Sequence, residues 1–282
     1  MFLERYFDKF EHYWEDDGTR KYFAIVLVGI FLLALLVIEF NRQGWLPGAV
    51  SPAVPTNHFF AVDIVFTFVL IIEIIGLVFG LARSVSNAVG IQIEILSLIL
   101  LRASFKELTN FNEPIQWGDV SEPVLHMLSD AFGALVIFVI LGYYYQLQKH
   151  RPITKSRQMQ HRFVVAKKGL SLVLLVSFVA IGCYDVLLWL GHQKTFDFFS
   201  TFYTILIFAD ILIVLISTRY SANYYVLFRN SGFAFTTVMI RLALTAPPYI
   251  NALLGVGAAV FAVGLTLAYN HLAPKDQQVV DH

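Results

Sequence analysis

Eight runs of apolar residues, each long enough to cross a bilayer core of roughly 30 Å as a helix, constrain this chain more than anything else in it. They fall at about 22–40, 60–82, 88–106, 125–147, 168–190, 198–218, 230–246 and 249–271. The seventh is the weakest, because Arg241 and two threonines interrupt it. Lipid offers no partner to unpaired backbone N–H and C=O groups, which excludes an open sheet and leaves helices. The expected fold is all-α: a polytopic membrane protein with eight transmembrane helices. Composition agrees, with 14% charged residues where a soluble domain carries about a quarter.

Lys and Arg orient the spans. The N-terminus, the 83–87 turn, the 148–168 segment, the 219–229 turn and the tail carry 15 of the 20, and the opposite loops carry only Arg42, Lys106 and Lys194. By the positive-inside rule both termini are expected in the cytoplasm, which also requires an even number of spans. Residues 1–20 place Leu3, Phe7, Phe10 and Trp14 opposite a set of charges. They read as an amphipathic interfacial helix or, equally, as a helix packed against the cytoplasmic loops. The acidic residues of this segment exclude a cleavable signal. With a net charge of zero and no basic groove, nucleic acid is not an expected partner.

The runs fall into two matching sets of four. "FTFVLIIEIIGLVFGLAR" corresponds to "YTILIFADILIVLISTR", with Glu73 on Asp210; Glu39 corresponds to Asp185, and Arg102 to Arg241. Pro123, Gly133, Ala134 and Tyr145 correspond to Pro247, Gly257, Ala258 and Tyr269. The offset changes only in loops, as insertions do. The expected organisation is two parallel four-helix repeats at 21–150 and 167–274, whose pseudo-two-fold axis stands along the membrane normal. A basic linker at 151–166 joins them and a tail occupies 275–282. The basic stretch at 149–168 is expected to face anionic lipid headgroups, or else a partner.

In the second set an acid at mid-helix (Asp210) is followed by Arg229 and Arg241 in "FRNSGFAFTTVMIRL" and by a final helix rich in small residues. This resembles the phosphate-starvation-inducible PsiE family, over 167–272 closely and 21–150 more loosely. The first set departs from it, with Gly90 at the position of Arg229 and Glu94 at an apolar position. The resemblance implies a multi-pass protein of the bacterial inner membrane, built here as a tandem four-helix unit, and brings no established activity. A homo-oligomer or a membrane-complex partner is open.

Charges inside apolar runs need a partner, a proton or a job. Counting depth along the runs pairs Glu39 with Arg102 and Asp185 with Arg241 as intramembrane ion pairs, and lets Arg229 reach Asp210. It leaves Glu73 and Glu94 at one depth without a cation, a candidate proton or ion site. Alternatively, Glu94 faces headgroups or is protonated against a backbone carbonyl. His126 and Asp130, one turn apart, are too few for a metal site. Cys183 reads as a packing residue, and Gly255, Ala258, Ala259 and Ala262 as a close-packing stripe. No HExxH, GxSxG or P-loop is present, so neither an enzyme nor a bound cofactor or metal is expected. Two functions remain: conduction or transport of a proton, ion or small solute through the acids of the first repeat, or a non-transporting sensor, regulator or assembly subunit.

Overall fold

Helices make up the regular structure of the described residues, with no strand among them. The computed structural model describes residues 2–48, 50–82, 85–116, 118, 121–148, 157–191, 196–218 and 224–272. The 275–282 tail and the 149–156 part of the basic segment lie outside the described residues. Among the described residues nine α-helices run α1 Phe2–Glu15, α2 Asp17–Arg42, α3 Phe60–Gly80, α4 Val85–Lys106, α5 Ser121–Leu147, α6 Arg157–Leu190, α7 Phe198–Thr218, α8 Tyr224–Thr245 and α9 Ile250–Leu272. Seven of them, α2 to α7 and α9, are long and apolar enough to cross a membrane. The 22 residues of α8 give it a length of about 33 Å, but Arg229, Asn230 and Arg241 keep its hydropathy below that of the other seven.

The helices share two ends. At one, which we call the acidic end, Lys106 of α4 pairs with Asp63 of α3 at 2.9 Å and Arg42 of α2 faces Glu113 at 3.5 Å. At the other, the basic end, Gln148 bonds Asn87 at 2.9 Å, and Asn270 of α9 bonds the Leu147 carbonyl at 2.9 Å. Helix α6 starts at Arg157, so the expected boundary between linker and second repeat falls inside a helix.

The core has a centre and a flank. Centrally, α4, α5, α8 and α9 bury Leu96, Ile137, Tyr144, Phe233, Ile240 and Ala258. On the flank α3, α6 and α7 pack Ile74, Leu77, Phe178, Phe202 and Leu206. Helix α2 touches α3 and exposes Ile25, Leu32, Leu33 and Leu36, as expected of a helix whose solvent is lipid.

Asp16 separates α1 from α2 and caps the latter, its carboxylate accepting from Gly18 N at 3.0 Å and Thr19 N at 3.2 Å. Helix α1 is docked on protein. Phe7 is fully buried against Phe79, Trp14 stacks near Phe79, and Asp8 accepts from Lys168 Nζ at 2.6 Å. In the same segment Lys167 is buried, and Lys168 is partly buried beside α1.

Small residues set the closest approaches. The stripe Gly255, Ala258, Ala259 and Ala262 of α9 is buried against the central quartet. A Cβ on Gly133 of α5 would lie 2.7 Å from the Cβ of Ala252 and 3.3 Å from its Cα. Gly133→Val is expected to destabilise the fold by about 1–3 kcal/mol through overpacking. Gly264→Ala, where nothing lies within 4 Å, is expected to be neutral or slightly stabilising. Thermal unfolding of the detergent-purified variants measures both.

Candidate functional site

One face of α7 and one face of α8 bring buried polarity together. Tyr203, Leu206, Asp210 and Ser217 recur along α7, and Asn230, Phe233, Thr237 and Arg241 along α8, at three-, four- and seven-residue steps that put each set on one side. All eight are buried. Where the two faces meet, Arg241 Nε lies 3.7 Å from Asp210 Oδ2, with side-chain exposures of 0% and 3%. That is ionic contact but too long for a hydrogen bond.

Beside this pair, toward the basic end, lies a small chamber. Its polar wall is Gln92 of α4, Lys167 of α6, Asp210 and Ser217 of α7, and Asn230 and Thr237 of α8. The space has room for only a few water molecules. Both amide atoms of Gln92, both of Asn230, Asp210 Oδ2 and the three nitrogens of Arg241 are buried with no protein hydrogen-bond partner. Buried polar groups are normally satisfied, and leaving one bare costs about 1–3 kcal/mol. Those of Gln92, Asn230 and Asp210, gathered around one space beside Arg241, mark a hydrated or ligand-holding site.

The pairs differ from those expected. Arg102 does not reach Glu39; its guanidinium donates to Glu73 of α3. Glu39 instead faces His58 Nε2 at 3.1 Å and accepts from Gln43 at 2.6 Å. Asp185 accepts from the Phe196 N–H at 3.4 Å and does not meet Arg241. Arg229 lies over the Tyr269 ring at 4.7 Å, and Asp210 is left to Arg241. The reason is register. The Asp63–Lys106 contact and the Phe66–Phe105 ring contact at 5.9 Å set Arg102 level with about residue 68. Glu73 is then about 7.5 Å away along the helix, a gap that two long side chains close by extending toward each other. Depth counted from the ends of apolar runs misses that offset.

Nor do Glu73 and Glu94 form a site. Glu73 lies in a groove with Asp63, Thr67, Arg102 and Lys106. Glu94 is exposed, accepts from the Tyr145 hydroxyl at 3.2 Å, and shares a separate cavity with Trp14 and Arg20. Gly90 admits the Tyr145 ring, which a Cβ there would approach to 2.8 Å. His126 faces Glu107 at 3.6 Å, and Asp130 accepts from Asn251 at 2.9 Å. No group of three metal-ligating side chains occurs among the described residues. The chamber residues Gln92, Lys167, Ser217, Asn230 and Thr237 went unnoticed in the sequence. Their signal was the polarity of α8, which reads there only as a weak span.

At the acidic end His58 sits between two carboxylates. Its Nδ1 is 3.0 Å from Glu113 Oε2, and its backbone N–H donates to the same oxygen at 3.2 Å. The His58 ring hydrogen bond, then its backbone N–H, and Arg42 more weakly, hold the Glu113 carboxyl below its ordinary value. Compared with protein-family models, with curated proteins and with solved structures, the chain matches none.

Two outcomes follow. Asp210→Asn leaves the guanidinium of Arg241 buried without its carboxylate, and is expected to cost about 3–5 kcal/mol in thermal unfolding, most of it recovered in the Asp210→Asn/Arg241→Gln double variant. Glu113, a carboxylate whose folded value is depressed, contributes stability above the ordinary glutamate range near pH ~4.3 and loses it as pH falls through the lower folded value. Amide exchange of the 107–116 segment should therefore accelerate on acidification in the native chain, and Glu113→Gln should abolish that acid step.

Proposed function

We propose that this chain is a multi-pass membrane protein that passes an ion or small polar solute through the Asp210–Arg241 chamber. The observation that carries the reading is the set of buried polar atoms without protein partners around that chamber. A protein that only needs to stand in lipid has no use for two bare amides, a carboxylate and an arginine turned on one another. The role falls to the second half of the chain, because Glu73 already holds Arg102 and Glu94 lies apart.

The same reading takes α8 as an eighth span, shielded by its neighbours, and takes the two sets of four helices as copies with both termini in the cytoplasm. Supporting the duplication, Glu73–Arg102 joins α3 to α4 as Asp210–Arg241 joins α7 to α8, at the offsets that align those helices in sequence. Kinship with the PsiE family and residence in a bacterial inner membrane rest on the resemblance of 167–272. On this orientation the chamber lies toward the cytoplasm.

A second reading, a non-transporting sensor or assembly subunit, draws on one observation: both acid–arginine pairs tie consecutive helices and so serve as structural links. Flux separates the two. Proteoliposomes carrying the full chain should pass at least one of proton, Rb⁺, Cl⁻ or glycerol faster than empty vesicles, and Gln92→Leu/Asn230→Leu, which fills the chamber with apolar side chains, should remove the excess. No excess flux of any of them would give the case to the second reading.

A further inference from the structure

We propose that the species passed is the proton, relayed along α7 from the chamber to Asp210, then Tyr203, then Asp197. The inference deepens the transport reading and rests on it.

Charge and size select the proton. A metal cation at Asp210 would face the fully buried guanidinium of Arg241, and like charges in a low-dielectric interior repel strongly. An anion entering beside Arg241 would face the Asp210 carboxylate on the same terms. Among the other wall groups, α6 contributes the amine of Lys167 and α4 the neutral amide of Gln92. Larger solutes are excluded because the space, lined also by Leu81, Val214 and Phe233, holds only a few waters. A proton needs no such room, since it moves by exchange along hydrogen-bonded water. The amides of Gln92 and Asn230, offering donors and acceptors without protein partners, are suited to hold that water.

The route continues on the same face of α7. Tyr203 stands seven residues toward the acidic end, about 10 Å along the helix. It is 3% exposed, on the α7 face that meets α8. Asp197 sits just ahead of α7 at the acidic end, where its carboxylate accepts from Ser200 N at 3.1 Å. A proton from chamber water binds the Asp210 carboxylate and loosens its hold on Arg241. Asp210 then releases a proton through water on the Arg241 N–H groups to the Tyr203 hydroxyl oxygen, as Tyr203 gives up its own proton toward Asp197. Asp197 releases that proton to the aqueous phase at the acidic end, and the chamber water takes up another from the basic end. Each group thus ends as it began, one proton has crossed, and no other bond has changed.

The test uses the full chain in proteoliposomes with a trapped pH dye and a valinomycin-set potassium potential. Native protein should carry protons in these vesicles and, in vesicles without valinomycin, no Rb⁺ or Cl⁻. Because Asp210→Asn alone strands a charge, it is compared as Asp210→Asn/Arg241→Gln against Arg241→Gln, both checked for monodisperse elution. Loss of Asp210 should lower proton flux by at least about tenfold, and Tyr203→Phe should lower it several-fold while leaving elution unchanged. Infrared spectra should show a carboxyl C=O band, missing when Asp210 is replaced, that shifts within seconds of transfer to D₂O. Undiminished proton flux without Asp210, or a band that does not exchange, overturns the relay. Rb⁺, Cl⁻ or glycerol flux in place of proton flux overturns the choice of proton but leaves transport through the chamber standing. Absence of every flux overturns both.

Discussion

Asp210 and Arg241 are the interaction on which the second half of this fold depends. In a low-dielectric interior neither charge can be left alone, and the ionic contact between them dictates which faces of α7 and α8 must meet. Once those faces meet, the residues spaced along them follow by helical geometry: Ser217 and Asn230 toward one end, Tyr203 toward the other. A pair at 3.7 Å also stops short of satisfying itself. The five N–H donors of a guanidinium exceed what one carboxylate at that distance can accept, so the pair calls for further oxygen atoms around it. The tie that closes the helix pair thus also makes its interior polar.

The first half meets the same requirement at a different depth. Glu73 and Arg102 join α3 to α4, but Arg102 keeps about a third of its side chain exposed and the pair opens on a groove with Asp63 and Lys106 at the acidic end. Toward the basic end, rings crowd the helices, with Tyr144 and Tyr145 over Gly90 and Phe7 and Trp14 of α1 against Phe79, and the space left is the separate cavity that Glu94 shares with Trp14 and Arg20. Among the described residues, helix α1 has no counterpart before α6. On the proposed duplication, the copies diverged less in their charge ties than in what fills the space around them.

Legibility in the sequence followed the physics that acts locally. Apolar length alone outlines the seven apolar helices, because a span needs only hydropathy and a rise of about 1.5 Å per residue. It also singled out Glu73, Arg102, Asp210 and Arg241, since any charge in such a run stands out. Who pairs with whom was not legible. Pairing depends on the register of neighbouring helices, and a few residues of offset between α3 and α4 turn an apparent gap between Glu73 and Arg102 into a contact. Neutral polar residues were harder still. Gln92 and Asn230 resemble ordinary tolerated polarity until two helices from distant parts of the chain set them around one space.

That difference bears on where function can reside in such a chain. The acids drew attention because charge is costly in lipid, yet the acid that sequence depth left without a cation, Glu73, is held by Arg102. Cost identifies what must be compensated; it does not identify what remains reactive afterwards. The reactive remainder is found by asking which buried polar atoms still lack a partner when all the pairs are drawn. Here most of them belong to Gln92, Asn230, Asp210 and Arg241. A site defined by unspent hydrogen-bonding capacity is a property of three helices at once, and only the packing of α4 and α7 against α8 brings it into being.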